Sequence, residues 1–435
     1  MSSLENMVWV TTKEKIKRLS RRLVEAQKPI RILDSIKWDS SIEEVLRKGK
    51  FRQMPKIGPD HYQKRPLSFD PEKKIEEFAD IIQDIRLSLG KDDELAPLLI
   101  SICEQYQDVV RMLQSRGTKQ FWEYSRKLYG SPKDPLVGEK TRVCDLGKVL
   151  YEILSGLDDS LGADYPKELQ AQEVVDELNR RFAVYFKGES VQAKISDGIL
   201  ADAAAGGDTV KIKEGALFSK REIDILEVHE GWVHVGTTIN GNSQHLASWL
   251  SKGPPRCSAT QEGLAVLLEI FTFRSYPRRA RQINDRILGI DKAEDGANIL
   301  ELIEFYRVEG YSEDECLFNA LRVYRGGLVE GGAPFTKDIS YCKGFVENYN
   351  FIRAAIRAGH PELIPFLFVG KLSVDDVPLL YRKHKEGIVD SPLFLPPQFA
   401  DLNGIAVWMS FSSFLSRVDL AKVQDHYNKL FQQYV

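Results

Sequence analysis

Ser219-Lys-Arg-Glu-Ile-Asp-Ile-Leu-Glu-Val-His229-Glu230-Gly231-Trp232-Val233-His234 is the stretch on which the reading of this chain turns. Ser219 and Glu222 stand at capping-box spacing, where a serine hydroxyl and a glutamate three residues on each satisfy a free backbone N–H, so a helix is expected to start there. Ile223, Leu226 and Val228 supply an apolar set for burial, and the helix arrives at two histidines around a glutamate. In the familiar zinc pattern His-Glu-x-x-His the histidines lie at i and i+4 on one helix face. Here they lie at i and i+5, which a regular helix would rotate roughly 140° apart, too far to share one ion. A one-residue π-bulge restores the convergence, and Gly231 offers a residue that tolerates distortion. The spacing therefore predicts a bulged helix able to hold zinc.

A second stretch, Ser258-Ala-Thr260-Gln261-Glu262-Gly263-Leu264-Ala265-Val266-Leu267-Leu268-Glu269, fits that expectation. Ser258 or Thr260 would cap a helix with Glu262 in its first turn and Val266 and Glu269 following on the same face. A helix-borne carboxylate downstream of a histidine pair suits a third ligand, and two histidines with one glutamate leave a fourth position for water, as in catalytic sites. Asp224, Glu227 and Glu269 are the candidates for a carboxylate that holds an imidazole N–H. His245 is a candidate fourth ligand or acid, with a plain loop histidine as the simpler reading.

The Gln261-Glu262-Gly263-Leu264-Ala265 run resembles the signature of the QEGLA-motif proteins, relatives of the microtubule-associated tyrosine carboxypeptidases, which share the His-Glu-x-x-x-His variant. Tyr324-Arg325-Gly326-Gly327 and Phe335-Thr336-Lys337-Asp338-Ile339-Ser340-Tyr341 are similar as well, so the resemblance covers roughly residues 140 to 395. It implies a zincin-like metallopeptidase in which His229, His234 and Glu262 bind one Zn2+ per chain and Glu230 is the general base. It further implies carboxypeptidase action on a peptide or protein C-terminus, on a terminal tyrosine or another bulky residue.

At 435 residues the chain has room for two to three domains or one elaborated enzyme domain, and its 43% hydrophobic residues provide core material. A net charge of −3 gives no reason to expect nucleic acid as a partner. No apolar run is long enough to span a bilayer, and the start lacks the order of a secretion signal, so a cytoplasmic protein is expected. Five scattered cysteines without a Cys-x-x-Cys pair argue against disulfides and a cysteine metal site.

Along the chain, residues 1–140 read as a helical region. It opens with a basic amphipathic helix over 8–27, read as a solvated face packed on the body, and an extended connector over 50–67. Helices follow from Asp70, over 95–113 and over 118–128. After two more helices within 141–185 the period shortens, and 191–196, 198–202 and 209–213 are strand candidates forming a small sheet before the zinc helix. Either 209–213 or 191–196 is expected to be the edge beside a cleft. Beyond residue 275 helices return, and Arg322, Tyr324, Arg325, Lys337 and Tyr341 gather basic and aromatic character. An exopeptidase must bind a terminal carboxylate and an oxyanion, and Arg325, Lys337 and Tyr341 are the candidates.

The expected architecture is a predominantly helical α+β protein. It comprises the N-terminal region, a catalytic domain over 141–395 and a C-terminal helical extension over 396–435. The expected activity is that of a zinc metallopeptidase of carboxypeptidase type. Two other readings stay open: a non-catalytic regulatory or binding module of the same fold, and a zinc amidohydrolase acting on a non-peptide substrate.

Overall fold

The computed structural model describes residues 3–161, 165–199 and 201–432, and the fold is predominantly helical α+β. The N-terminal helices form where apolar residues recur at helix spacing. Pro71–Leu89 starts at Asp70, whose side chain accepts the Lys73 N–H, and buries Phe78, Ile81 and Ile85 against Leu95–Gln114. The basic helix Ser3–Gln27 packs on it through Ile16, Leu19 and Leu23, while Arg18 and Arg22 pair with Asp84 at the rim. This apolar cluster continues without a break into Val228, Trp232 and Val233 of the first motif and Leu264, Leu267 and Leu268 of the second. The N-terminal helices thus back the two motif helices.

A second cluster joins Val143 of the Val143–Leu161 helix, Ile283, Ile287 and Ile290 of Pro277–Glu294, and Leu317 and Leu321 of Glu313–Tyr324. The helices Ile299–Val308 and Ser340–Ala358 have the ends their periodicity indicates, and Ser312 with Glu315 forms a capping box. The stretch 361–369 differs. It is a 3-10 helix, Pro361–Phe368, with Pro365 inside it removing a backbone donor. The connector over 50–67 likewise contains a short helix, Pro59–Gln63.

Two small sheets precede the first motif helix. Strands β1 (Leu169–Gln170) and β5 (Leu217–Phe218) pair antiparallel. Strands β2 (Gln192–Ser196), β3 (Ala203–Gly206) and β4 (Thr209–Lys213) form a sheet of order β2-β4-β3, with β4 parallel to β2 and antiparallel to β3. This corrects two expectations. The middle strand lies at 203–206 rather than 198–202, and 209–213 is central rather than an edge. An Ala-Ala-Ala-Gly strand has no β-branched or aromatic residue to announce it, and pairing with Val210 and Ile212 supplies what its own propensity lacks.

The second motif helix owes its depth to glycine. A Cβ on Gly263 would sit 2.0 Å from the backbone carbon of Gly344, and one on Gly344 would sit 1.8 Å from the Ala259 carbonyl oxygen. The helices Cys257–Phe271 and Ser340–Ala358 therefore cross backbone to backbone, which only a residue without a side chain permits. Among the described residues no helix is long and apolar enough to cross a membrane.

Candidate metal centre and cleft

The first motif begins as expected. Ser219 accepts the Glu222 N–H, Glu222 accepts the Ser219 N–H, and α-helix runs over Lys220–Leu226. From Glu227 to Val235 the chain is π-helical, then α-helical again over Gly236–Asn242. The distortion is thus nine residues long, not a single bulge. The Gly236 N–H reaches back to the Gly231 carbonyl, five residues earlier, and the same i, i+5 relation sets His229 and His234 on one face. Their ring centroids lie 5.0 Å apart. Where the π-helix passes back to α-helix, side chains serve the carbonyls. Thr237 Oγ1 donates to Val233 O at 2.6 Å, and Thr238 Oγ1 and Lys371 Nζ donate to His234 O at 2.7 and 2.8 Å. Gly231 is required for space rather than for its own angles, since a Cβ there would lie 2.5 Å from the Phe182 ring.

Glu262 meets both histidines: its Oε2 lies 3.6 Å from His229 Nε2 and 3.5 Å from His234 Nε2. These separations exceed a good hydrogen bond. They are close to the roughly 3.4 Å between neighbouring donors on a tetrahedral zinc with bonds of about 2.0–2.1 Å. Glu230 also brings an oxygen within 4.8 Å of donors on both imidazoles. The two carboxylates differ in their other bonds. Glu230 Oε2 accepts the backbone N–H of Ala205 at 2.8 Å, whereas Glu262 Oε1 accepts from Lys337 Nζ at 2.8 Å. Two imidazole nitrogens and a carboxylate oxygen at these separations fit a zinc ion.

The helix carrying Glu262 starts at Cys257, beyond Pro254 and Pro255, so Glu262 lies in its second turn and neither Ser258 nor Thr260 caps it. Two turns on, Glu269 is fully buried and its Oε1 lies 2.7 Å from His229 Nδ1. Arg279 donates to both Glu269 oxygens, at 3.2 and 3.0 Å. Burial opposes the Glu269 charge, but Arg279 and His229 hold its carboxyl down at about 2. An ionised Glu269 only accepts, so His229 Nδ1 carries a proton, and Nε2 is the nitrogen that faces Glu262. Burial likewise opposes a charged His229, yet the Glu262 and Glu269 carboxylates lift it to about 10, the response of an imidazole pressed between two acids. Asp224 and Glu227 instead bind Arg181, with Arg274 also on Glu227. His245 is exposed, pairs with Asp390 and takes no part in the cluster.

The other candidates sort by their partners. Tyr324 is buried and its hydroxyl donates to Ala297 O. Arg322 is locked on Asp338 by two bonds. Lys337 holds Glu262, and Tyr341 stacks with its centroid 6.3 Å from that of His229. Arg325 is only 6% exposed and lines the cleft; among the described residues it pairs with no carboxylate, and its Nε makes no hydrogen bond. Burial and the neighbouring Arg322 pull its guanidinium down to about 10. Arg286, which sequence reasoning passed over, lies over the Tyr341 ring at 4.6 Å, lines the cleft, and also has an unbonded Nε. Only its place among several arginines of a basic helix was visible beforehand.

These groups open into a cleft of about 1240 Å3, lined by His229, Glu230, His234, Glu262, Tyr341 and strand β3. Strand β3 is the edge beside it. The Asp202 carbonyl accepts the Lys213 N–H on the β4 side, while the Ala205 N–H points the other way to Glu230, so odd-numbered residues of β3 turn their backbone groups away from β4. Lys371 lies beneath, donating also to Thr237 Oγ1 and Gln261 Oε1, and burial pulls its ammonium down to about 7.

The model of the microtubule-associated tyrosine carboxypeptidase family matches residues 44–417, most of the chain. No curated protein matches it. A crystal structure named as a lipoprotein from Colwellia psychrerythraea is similar over 85% of this chain and 69% of its own, at 13% identity and a TM-score of 0.39, too low to argue from.

Proposed function

This chain belongs to the microtubule-associated tyrosine carboxypeptidase family, and on that premise we propose that it is a zinc-dependent carboxypeptidase of zincin-like design. The observation that carries the reading is the π-helix that turns His229 and His234 onto Glu262, with Glu230 between them. His229 Nε2, His234 Nε2 and Glu262 Oε2 would hold the ion. Zinc, when bound, acidifies a water and polarises a peptide carbonyl.

The remaining work belongs to the chain's own groups. The Ala205 N–H occupies Glu230 Oε2, and among the described residues Oε1 has no hydrogen-bond partner, so Oε1 is the atom that takes the proton from water and returns it to the departing amine. Lys337 fixes the orientation of Glu262, and Glu269 with Arg279 that of His229. Tyr341, under Arg286 and beside His229, would donate to a developing oxyanion. Among the described residues neither the buried Arg325 nor the half-buried Arg286 pairs with a carboxylate, and a buried guanidinium without such a partner is stabilised by an anion arriving from outside. A substrate's terminal carboxylate is that anion, bound in the fork of Arg325. The substrate would pair with the outward backbone groups of β3. A cleft above the usual 300–1,000 Å3 of small-molecule pockets favours a peptide over a small amide. The residue removed would be a C-terminal tyrosine, as the family's description names, or another bulky side chain.

The test is a peptide series ending in tyrosine, as free acid or amide, with released amino acid as readout. Release from the acid and at least about 100-fold less from the amide is expected. Equal cleavage of both, or internal cleavage, would remove the carboxypeptidase assignment. Arg325→Met should lower kcat/KM on the free acid by about 30- to 150-fold, equivalent to about 2–3 kcal/mol, and abolish the preference over the amide. The thermal midpoint should hold or rise, because an unpaired buried charge is removed. Glu269→Gln should weaken zinc binding about 10- to 100-fold, measured by competition with a chelator.

A further inference from the structure

The helix Leu402–Leu415 contains no Asp, Glu, Lys or Arg. Ile405 and Met409 bury one side of it against Ser340–Ala358. Its other side carries Val407, Trp408, Phe411, Phe414 and Leu415, at i, i+1, i+4, i+7 and i+8, all largely exposed, with Trp408 alone also edged against the Phe271 and Tyr349 rings. The next helix, Leu420–Phe431, repeats the pattern with Leu420, Tyr427, Leu430 and Phe431 on one stripe. No closely packed pair of elements among the described residues includes that second helix. These nine side chains are 42–71% exposed. Single exposed hydrophobes need no explanation, but a stripe of them along an uncharged helix does.

We propose that this helical pair is a self-association surface whose occupant is the same pair in a second copy of the chain, giving a twofold four-helix interface. Two observations select that occupant. The exposed parts of the nine side chains amount to on the order of 1,000 Å2, more than the roughly 800 Å2 per partner of a standard stable interface. From Ser416 to Gln432 there are three basic residues, Arg417, Lys422 and Lys429, against two acidic ones, Asp419 and Asp425. A helix that lies on an anionic lipid surface needs a basic polar face, which is missing here. A second copy presents the same uncharged stripe and meets it without desolvating any charge, as an isologous contact requires.

The experiment is light scattering on the full chain at about 10 µM, a concentration at which interfaces of this size are occupied. Particles of twice the 49.5 kDa chain mass are expected for the wild type. Phe411→Glu/Phe414→Glu should run at 49.5 kDa with an unchanged helical spectrum, its dissociation constant raised at least about 100-fold. Phe411→Ser/Leu415→Ser is the milder pair if the charged variant loses its fold, and should also dissociate. A monomeric wild type overturns the proposal, and so does a variant pair that stays dimeric. A monomer that sediments with phosphatidylcholine–phosphatidylglycerol vesicles overturns it in favour of a lipid surface.

Discussion

Glu230→Gln is expected to keep its metal and its fold and to lose about 10²- to 10⁴-fold in turnover, the range for removing a positioned general base. The amide preserves the bond from the Ala205 N–H, because its oxygen still accepts there, so the strand and the π-helix stay where they are. What it loses is the basic oxygen that takes a proton from water. The loss should fall on kcat with KM little changed, since Glu230 contributes to the transition state rather than to holding the peptide. Single-turnover peptide cleavage beside a zinc assay of the same sample separates the outcomes. Turnover retained with metal retained would take the base assignment away from Glu230. Turnover lost together with the metal would make Glu230 a ligand, which its position within 4.8 Å of both histidine donors makes worth asking.

Gly263→Ala is expected to be among the most damaging methyl additions at the described glycines, costing about 3 kcal/mol or more. Small overpackings cost about 1–3 kcal/mol because side chains yield. Here the added Cβ would meet the backbone carbon, carbonyl oxygen and amide nitrogen around Gly344 at 2.0, 2.2 and 2.5 Å, and backbone does not yield without parting two helices. Those helices carry Glu262 and Tyr341, so metal affinity should fall along with the urea midpoint. Gly156→Ala is the control. It is exposed within the Val143–Leu161 helix with nothing near the added Cβ, and should be neutral or stabilise by about 0.5–1 kcal/mol. A Gly263→Ala protein as stable as Gly156→Ala would contradict the close crossing.

These glycines also show what could be read beforehand. Helix existence was legible wherever apolar spacing and caps agreed: Ile299–Val308 and Ser340–Ala358 end where their periodicity ends, and the Ser219 box starts the first motif helix. The need for a distorted helix was legible too, because an i, i+5 step between the histidines leaves no alternative on a regular one. Its nine-residue length was not, since one of the donors to its carbonyls, Lys371, comes from distant chain. In the same way Gly263 announced no partner, and Glu269 was indistinguishable from Asp224 and Glu227 until Arg279 and His229 were seen to face it. Strand β3 was hidden by its alanines and Arg286 by its neighbours. What periodicity cannot carry is which side chain meets which across the core.

The most direct test of the account is the zinc content of the purified protein beside His234→Ala and Glu262→Ala. About one zinc per chain in the wild type, lost in both variants, is the predicted result. His234 is the residue that the π-register alone brings to His229, and Glu262 is the oxygen facing both. A wild type that holds no zinc even when supplied with it, or a His234→Ala protein that binds zinc as well as the wild type, would contradict the metal centre.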